Sequence, residues 1–377
     1  MKHCFAGNWR VYFYVVLTFF TIVRIIGGEF AVATLSEIAR EAGVTIKTVA
    51  NILGRQEPEI RPSAAARAKR VRDIAARLNY RPNAAASAMR SGSFNNISLI
   101  IGGTGKNHGF GWVAPSMLSG MYTGAHHAGV TLSVAELSDD HLTSEATMPK
   151  LLRDRCSDGL IVNYIVDMPT RLIDLMDRYR IPSIWTNVKL PNNCVRPDDL
   201  AAGVMATEYL LKLGHRKIGY IGWWGHGDQG HYSQVERLHA YEQTMRAAGL
   251  IPRMALRTQA SIDNPAFDIA ETWLDQLDHP TAIICYKQID AILLRFVIER
   301  RGLRIPQDIS IVAFGDEWGH TTEGLPFTSV DIPFAAIGRT AVQMLITRIQ
   351  DDGKPQPTVI MPSTLYEGST AAKPKKH

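Results

Sequence analysis

The 377-residue sequence predicts an α/β protein with an all-α head ahead of a larger body of parallel sheets. Three observations carry that reading. Between Thr34 and Leu53 apolar residues recur at helical spacing on either side of a short turn. From Ile97 onward short apolar runs alternate with helical stretches, the pattern of parallel strands whose crossover helices cover both faces of a sheet. Charge divides along the same line: residues 34–90 hold eleven Lys and Arg against five acids, a net +6, within a chain of only +5 overall. A basic head on a mildly acidic body points to a polyanion met by the head alone.

The composition is that of an ordinary globular protein, long enough for two or three domains. Cys4, Cys156, Cys194 and Cys285 show no metal-type spacing and are expected as reduced thiols of a cytoplasmic protein. Residues 1–33 stand apart. Val11 to Ile26 is apolar except for threonines and Arg24, shorter than the roughly 20 residues of a membrane span. Ala31-Val32-Ala33 has the small-x-small form of a signal cleavage site. The segment is therefore read as an extension outside the fold, with translation starting near Val32, against a membrane anchor or a signal peptide.

In the head, Leu35, Ile38, Ala39 and Ala42 make one apolar stripe, with Ser36 expected to cap its first turn. Gly43 supplies the turn, Val44 an apolar plug and Thr45 the next cap. Val49, Ile52 and Leu53 form a second apolar face, which turns Ile46, Lys47, Ala50 and Asn51 outward. A helix-turn-helix with a short-polar outward face fits a DNA major groove. Gly54 to Pro62 reads as a loop, and Ser63 to Leu78 as a third helix packing through Ala68, Val71, Ala75 and Leu78. Pro82 ends that unit. Residues 84–90 are helix-prone but too few to hold a helix alone, so they are expected to fold only when something packs on them.

The run Thr34-Leu35-Ser36-Glu37-Ile38-Ala39, with Ala42-Gly43-Val44-Thr45, Leu78-Asn79-Tyr80-Arg81-Pro82-Asn83 and Ala88-Met89-Arg90, resembles the head and hinge of the lactose-repressor and galactose-repressor family of bacterial transcription regulators. The resemblance extends from Thr34 through the rest of the chain. It implies a DNA-binding head over 34–82, a hinge helix and linker over 83–93, a two-lobed, periplasmic-binding-protein-like body with parallel sheets over 94–366 and a tail over 367–377. It implies DNA contacts at Leu35, Ser36, Thr45, Ile46, Lys47, Thr48 and Asn51 in the head, and at Asn83, Ala86, Met89 and Arg90 in the hinge. Met89 stands where the family places a leucine wedge, whose unstacking cost is offset by the bend it produces. Ala50-Asn51 replaces the family's common Ser-Arg. Asn51 pairs naturally with adenine, Lys47 with guanine or phosphate, and Ile46 with a thymine methyl, so half-sites unlike the family's usual ones are expected.

In the body, strands are expected at 97–101, 131–135, 159–163, 183–186, 218–221, 282–285 and 310–314, enough for two lobes, with a helix at 335–350. Asp158-Gly159-Leu160-Ile161, Leu213-Gly214-His215-Arg216-Lys217-Ile218 and Arg304-Ile305-Pro306-Gln307-Asp308-Ile309-Ser310 resemble the family locally. That implies a small molecule held between the lobes. Ligands of open α/β sheets lie beyond the carboxyl ends of strands. Matching positions nominate Ala114, Pro115, Asn187, Arg237, Lys287, Asp316 and Phe334 as effector contacts, with Trp112, Trp185, Trp223, Trp224, Tyr286 and Trp318 as stacking candidates. Lys287-Gln288 and Gly315-Asp316 replace the family's Asn-Asp and its paired acid. Lys287 with Arg237 would suit a carboxylate or phosphate, so the effector is expected to be a sugar, sugar acid or sugar phosphate.

No nucleophile motif or metal spacing stands out, and His215 reads as structural, so neither an enzyme nor a cofactor or metal is expected. The expected function is a cytoplasmic, homodimeric, sequence-specific regulator, read as a repressor, on a near-palindromic double-stranded operator. The tail lacks leucine heptads, which favours a dimer over a tetramer, and a membrane partner is not expected. An exported sugar-binding protein of a transport system is the alternative, and the basic head argues against it.

Overall fold

A computed structural model describes residues 33–54, 62–102, 113–136, 156–164, 170–223, 231–257, 272–276, 278–321 and 327–375. The N-terminal extension, the loop after Gly54, Cys4, Trp112 and Trp224 lie outside them, as do the side chains of Met89, Arg90 and Trp223. The chain divides into two compact units, Met1–Gly92 and Ser93–His377.

In the first unit, α1 (Leu35–Ala42) begins two positions earlier than a cap at Ser36 would place it. The cap is Thr34, because Glu37 stands three residues after it. Glu37 accepts from the Thr34 amide at 2.7 Å while Thr34 Oγ1 accepts from the Glu37 amide at 3.3 Å, a reciprocal capping box. Ser36 is left exposed in the first turn. Gly43 ends the helix at φ +69°, a left-handed conformation open to glycine, with its amide on the Ala39 carbonyl. Thr45 Oγ1 then accepts from the Thr48 amide at 3.2 Å and starts α2 (Ile46–Gly54). These two helices pack with α3 (Pro62–Arg77) around Ile38, Ala39, Ala42, Val49, Ile52, Ala68, Val71, Ile74 and Ala75. Ile74 completes the Val71 stripe and was not among the residues expected there. Fully burying residues such as Ile38 and Val49 contributes about 1.5–3 kcal/mol each. The hinge stretch forms α4 (Ala84–Ser91), capped by Asn83 Oδ1 on the Ala86 amide at 3.2 Å and ended by Gly92 at φ +76°.

The second unit holds two lobes. Lobe 1 is built on a sheet of order β11-β5-β4-β3-β1-β2, from Val359–Met361, Cys194–Pro197, Ser183–Thr186, Gly159–Tyr164, Asn96–Gly102 and Thr131–Glu136, all parallel. Lobe 2 follows the order β12-β10-β9-β8-β6-β7, from Thr364–Tyr366, Thr328–Asp331, Ser310–Gly315, Ala282–Cys285, Ile218–Trp223 and Arg253–Arg257. Of these strands, β12 runs antiparallel to its neighbour and the others pair in parallel. All seven expected strands are present. Among the described residues the helices are α5 (Pro115–His127), α6 (Thr170–Arg178), α7 (Asp199–Leu213), α8 (Tyr232–Ala247), α9 (Gln288–Arg300), α10 (Glu317–Thr321) and α11 (Phe334–Gln350).

Each sheet is covered on both faces. Ile97, Leu99 and Ile101 meet α5 and α11, while Ile100, Leu160 and Val162 meet α6. In lobe 2, α7 and α8 pack on Tyr220, Ile284 and Val312, and α9 packs on Ile283, Ile311 and Ala313. Among the described residues the chain passes between the lobes three times: from β5 into α7, from β10 into α11 and from β11 into β12. Close packing of α5 on α11 depends on glycine. A Cβ on Gly120 would collide with the Ala335 carbonyl, and one on Gly338 with that of Met117. That contact seats the start of α5 beside the second crossing.

Candidate functional site

On the head, burial of Val49 and Ile52 leaves Ile46, Lys47 and Asn51 on the solvent face of α2. Ile46 is 51% exposed, so its apolar side chain stands on the open face of α2 beside Lys47. Thr45 and Thr48 bond each other at 2.9 Å, which fixes the entry to this face. Leu35 is half-buried against the head core, so it has little surface to offer, and Ser36 is exposed beside it. In α4, Asn83 is exposed but spends its side chain on the cap, and Ala86 is half-buried.

In the body, the carboxyl ends of the strands gather the nominated cleft residues. Ala114 is buried in the lobe 1 core as the cap of α5, Pro115 is exposed, and Ser116 donates its hydroxyl to Asp316, which follows β9 in lobe 2. Asn187 follows β4 at φ +59° and is buried, with its amide nitrogen on Asn163 Oδ1 at 2.8 Å. Phe334 packs against the cores of both lobes at the second crossing. Lys287 is exposed just before α9. Trp185 and Tyr286 belong to the two cores, and Trp318 is half-buried.

Arg237 on α8 is buried among groups that sequence reasoning did not join to it. Its Nε and Nη2 reach Asp199 Oδ1 at 2.7 and 2.6 Å, and its guanidinium stacks on the rings of Tyr286 and Phe314 at 5.1 and 4.6 Å. Burial favours loss of its proton, but the Asp199 carboxylate, Tyr286 and Tyr220 together outweigh that and raise its pKa. Burial pushes the hydroxyls of Tyr220, Tyr232 and Tyr286 up, so all three stay protonated. Asp199 Oδ2 and the hydroxyls of Tyr220 and Tyr232 are buried without a partner. Such atoms are costly where they stand and suit a polar ligand. The sequence signal for Asp199 is its place in the first turn of α7 after the cap Asp198, where an acid is ordinary.

His231 was likewise not nominated. Its Nε2 faces the Asn187 carbonyl at 3.0 Å and its Nδ1 faces Ser233 Oγ at 2.7 Å. Beside it, Glu236 joins Lys189 from lobe 1. His215, by contrast, is structural as expected, its ring held by Thr281 Oγ1 at 2.9 Å and the Ala372 carbonyl at 2.8 Å. Among the described residues no cluster of metal-ligating side chains occurs, and no helix is long and apolar enough to cross a membrane.

Comparison with known proteins follows the same division. The model of bacterial regulatory proteins, lacI family, matches residues 34–83, and that of the periplasmic binding protein-like domain matches residues 207–371. The HTH-type transcriptional repressor PurR of Photobacterium profundum is 26% identical over 324 residues, covering 85% of this chain and 92% of that protein. The ribose operon repressor of Haemophilus influenzae is 25% identical over 348 residues, covering 88% and 96%. Among solved structures, the Lac repressor dimer bound to operator and the anti-inducer ONPF shares the fold at a TM-score of 0.71 and 20% identity, covering 90% of this chain and 99% of that one. The complex of the transcriptional regulator CelR with cellobiose does so at 0.57 and 21%, covering 90% and 100%.

Proposed function

Because this chain belongs to the lacI family of bacterial regulatory proteins, we propose that it is a transcriptional repressor that reads operator DNA through α2 and is controlled by a small molecule held between its lobes. Its work is binding, not catalysis, as in the repressors it resembles. The observation that carries the reading is the α2 surface: a capped helix whose buried side fixes Ile46, Lys47 and Asn51 outward on a basic head. Ile46 suits a thymine methyl, Asn51 an adenine edge and Lys47 guanine or phosphate. Met89 and Arg90 of the hinge, with Asn83 and Ala86, are proposed to meet the adjacent minor groove.

The effector is proposed to be a sugar, sugar acid or sugar phosphate. It would lie among Pro115, Asn187, Arg237, Lys287, Asp316 and Phe334, with Ala114 supporting them from the core. The ribose repressor and the cellobiose-bound regulator among the relatives support a sugar. A polar ligand would also complete the buried oxygens beside Arg237. No cofactor takes part in this reading, and the repressor works in the cytoplasm, where its DNA is.

A homodimer on a near-palindromic site completes the proposal. Its support is α9, whose inward residues Ala291, Leu294, Val297 and Ile298 are buried while Ile289, Ile292 and Phe296 on the outward side are 54%, 38% and 59% exposed. Three large apolar side chains exposed on one side of α9, beside the Arg295–Glu299 ion pair, suit a face that a second copy covers. Linkage then gives control: an effector that prefers one lobe arrangement shifts DNA affinity by its differential binding.

The test is to select genomic fragments with the purified full chain at stated salt and to titrate the winners with sugars and their acids and phosphates. Enrichment of near-palindromic fragments, with affinity altered by one of these compounds, is the expected result. Enrichment no better than bulk DNA would overturn it.

A further inference from the structure

A line of hydrogen bonds crosses from lobe 2 into lobe 1. Tyr286, at the end of β8, bonds Ser233 Oγ at 2.7 Å, and Ser233 Oγ bonds His231 Nδ1 at the same distance. His231 Nε2 meets the backbone carbonyl of Asn187 at 3.0 Å. The Asn187 side chain then reaches Asn163 Oδ1 at 2.8 Å, which also accepts from Thr186 Oγ1 at 3.0 Å. The carbonyl sets the direction of the whole line. It can only accept, so Nε2 carries the proton and Nδ1 must accept from the Ser233 hydroxyl. Ser233 Oγ in turn accepts from Tyr286. Asn187 is placed to offer its carbonyl by a left-handed backbone, which asparagine tolerates better than most residues.

Both ends of the line lie in the proposed cleft. Tyr286 carries the Arg237 guanidinium on its ring, and Asn187 is itself a nominated effector contact. We infer that His231 is the positioning residue through which occupancy of the cleft is converted into lobe spacing. A ligand that moves Arg237 and Tyr286, or Asn187, pulls on the imidazole that joins them. This rests on the repressor reading above, and deepens it by naming the coupling element.

The line is also sensitive to acid. The groups facing His231 are Asp199 at the start of α7, which favours its charged form, and Arg237 on α8 and Lys287 before α9, which oppose it. Tyr232 packs on its ring at 4.5 Å. Burial dominates and lowers the pKa, so the imidazole is neutral at neutral pH. Protonation puts a second donor on Nδ1, so the Ser233 hydrogen must rotate away and reverse that bond, and the Ser233 amide, 3.4 Å from Nδ1, loses its acceptor.

The test uses the full chain, a fragment it has selected, and the variants His231→Phe, a ring without a donor, and His231→Gln, whose amide nitrogen can stand where Nε2 does. Operator Kd and amide exchange of segments 187–190 and 231–236 are the readouts. His231→Phe is expected to change Kd by about fivefold or more, the lower end of ordinary allosteric coupling, and to speed exchange in both segments. His231→Gln is expected to restore both, and to lack a step in Kd that the wild type shows below neutral pH. If His231→Phe fails to fold by circular dichroism, His231→Asn, which cannot extend to Asn187, takes its place. Unchanged Kd and exchange in the donor-lacking variant, or failure of Gln to rescue, would overturn the inference. Should the wild type select no DNA, the repressor reading falls, and exchange alone decides the role of His231.

Discussion

Arg237 holds Asp199 by two donors on one oxygen, Nε at 2.7 Å and Nη2 at 2.6 Å, inside a site where Asp199 is fully buried. Removing one partner strands the other charge. Asp199→Ala is expected to cost about 3–5 kcal/mol in urea unfolding, whereas the double change Asp199→Leu with Arg237→Met costs far less, because no charge is left unpaired. Equal losses in both would argue against a tightly buried pair.

The head separates base reading from charge. Asn51→Ala is expected to relax preference at one base pair of each half-site, worth about 1–3 kcal/mol of discrimination. Lys47→Ala, if Lys47 meets phosphate, weakens binding to all sequences alike and lowers the salt slope by about 0.9. Sequence selection repeated with each purified variant checks both, and an Asn51→Ala preference identical to wild type would remove Asn51 from the reading face.

Subunit pairing through α9 is expected to fail when its outward face is charged. Phe296→Lys or Ile292→Lys should sediment as a monomer with an unchanged circular dichroism spectrum and lose most operator affinity, since one head loses the aid of the other. A variant that still sediments as a dimer would move the interface elsewhere.

His215 links stability to pH. Burial lowers its folded-state pKa below the unfolded value of 6.5. The unfolded chain therefore binds the extra proton between the two values, so stability is fully present above 6.5 and is lost as pH falls through the folded pKa. Melting of the body should decline below about pH 6.5. The buried His231 adds in the same direction, so the slope should diminish most in a chain carrying His215→Gln together with His231→Gln.

Thr34 and Glu37 give the head a separate acid sensitivity. Bonds from the Thr34 backbone and hydroxyl lower the Glu37 pKa below 4.5. The cap thus stabilises above that value and is lost as pH falls through the lowered one. Thr34→Ala is expected to cost the head about 1 kcal/mol at neutral pH, measured by thermal melting.

Much of this was legible in the residues. Val49 and Ile52 at helical spacing assign the inner face of α2, and therefore the outer one. Long apolar runs such as Gly159–Tyr164 announce buried parallel strands. Cys194–Pro197 and Val359–Met361 did not, the first because Arg196 and Pro197 interrupt its apolar run and the second because it has only three residues. Ser36 and Thr34 are both cap residues by type, and the reciprocal bonds with Glu37 select Thr34. Asp199 carries no signal beyond that of an acid in the first turn of a helix, and His231 lies in no local motif. Their roles depend on Arg237 and Asn187, which lie 38 and 44 positions away.

The sequence by itself determined the helix-turn-helix and the alternation of strand and helix, since these depend on periodicity within a few residues, while its resemblance to a family nominated the positions for DNA and effector. Only the tertiary structure decided which side chains occupy one another. Ser116 and Asp316 meet across 200 positions of chain. Asp199 takes up the charge of Arg237, and His231 joins the lobes. Such pairings follow from the crossings of the chain between two sheets, and from close packing that leaves a buried charge or donor only the partner beside it.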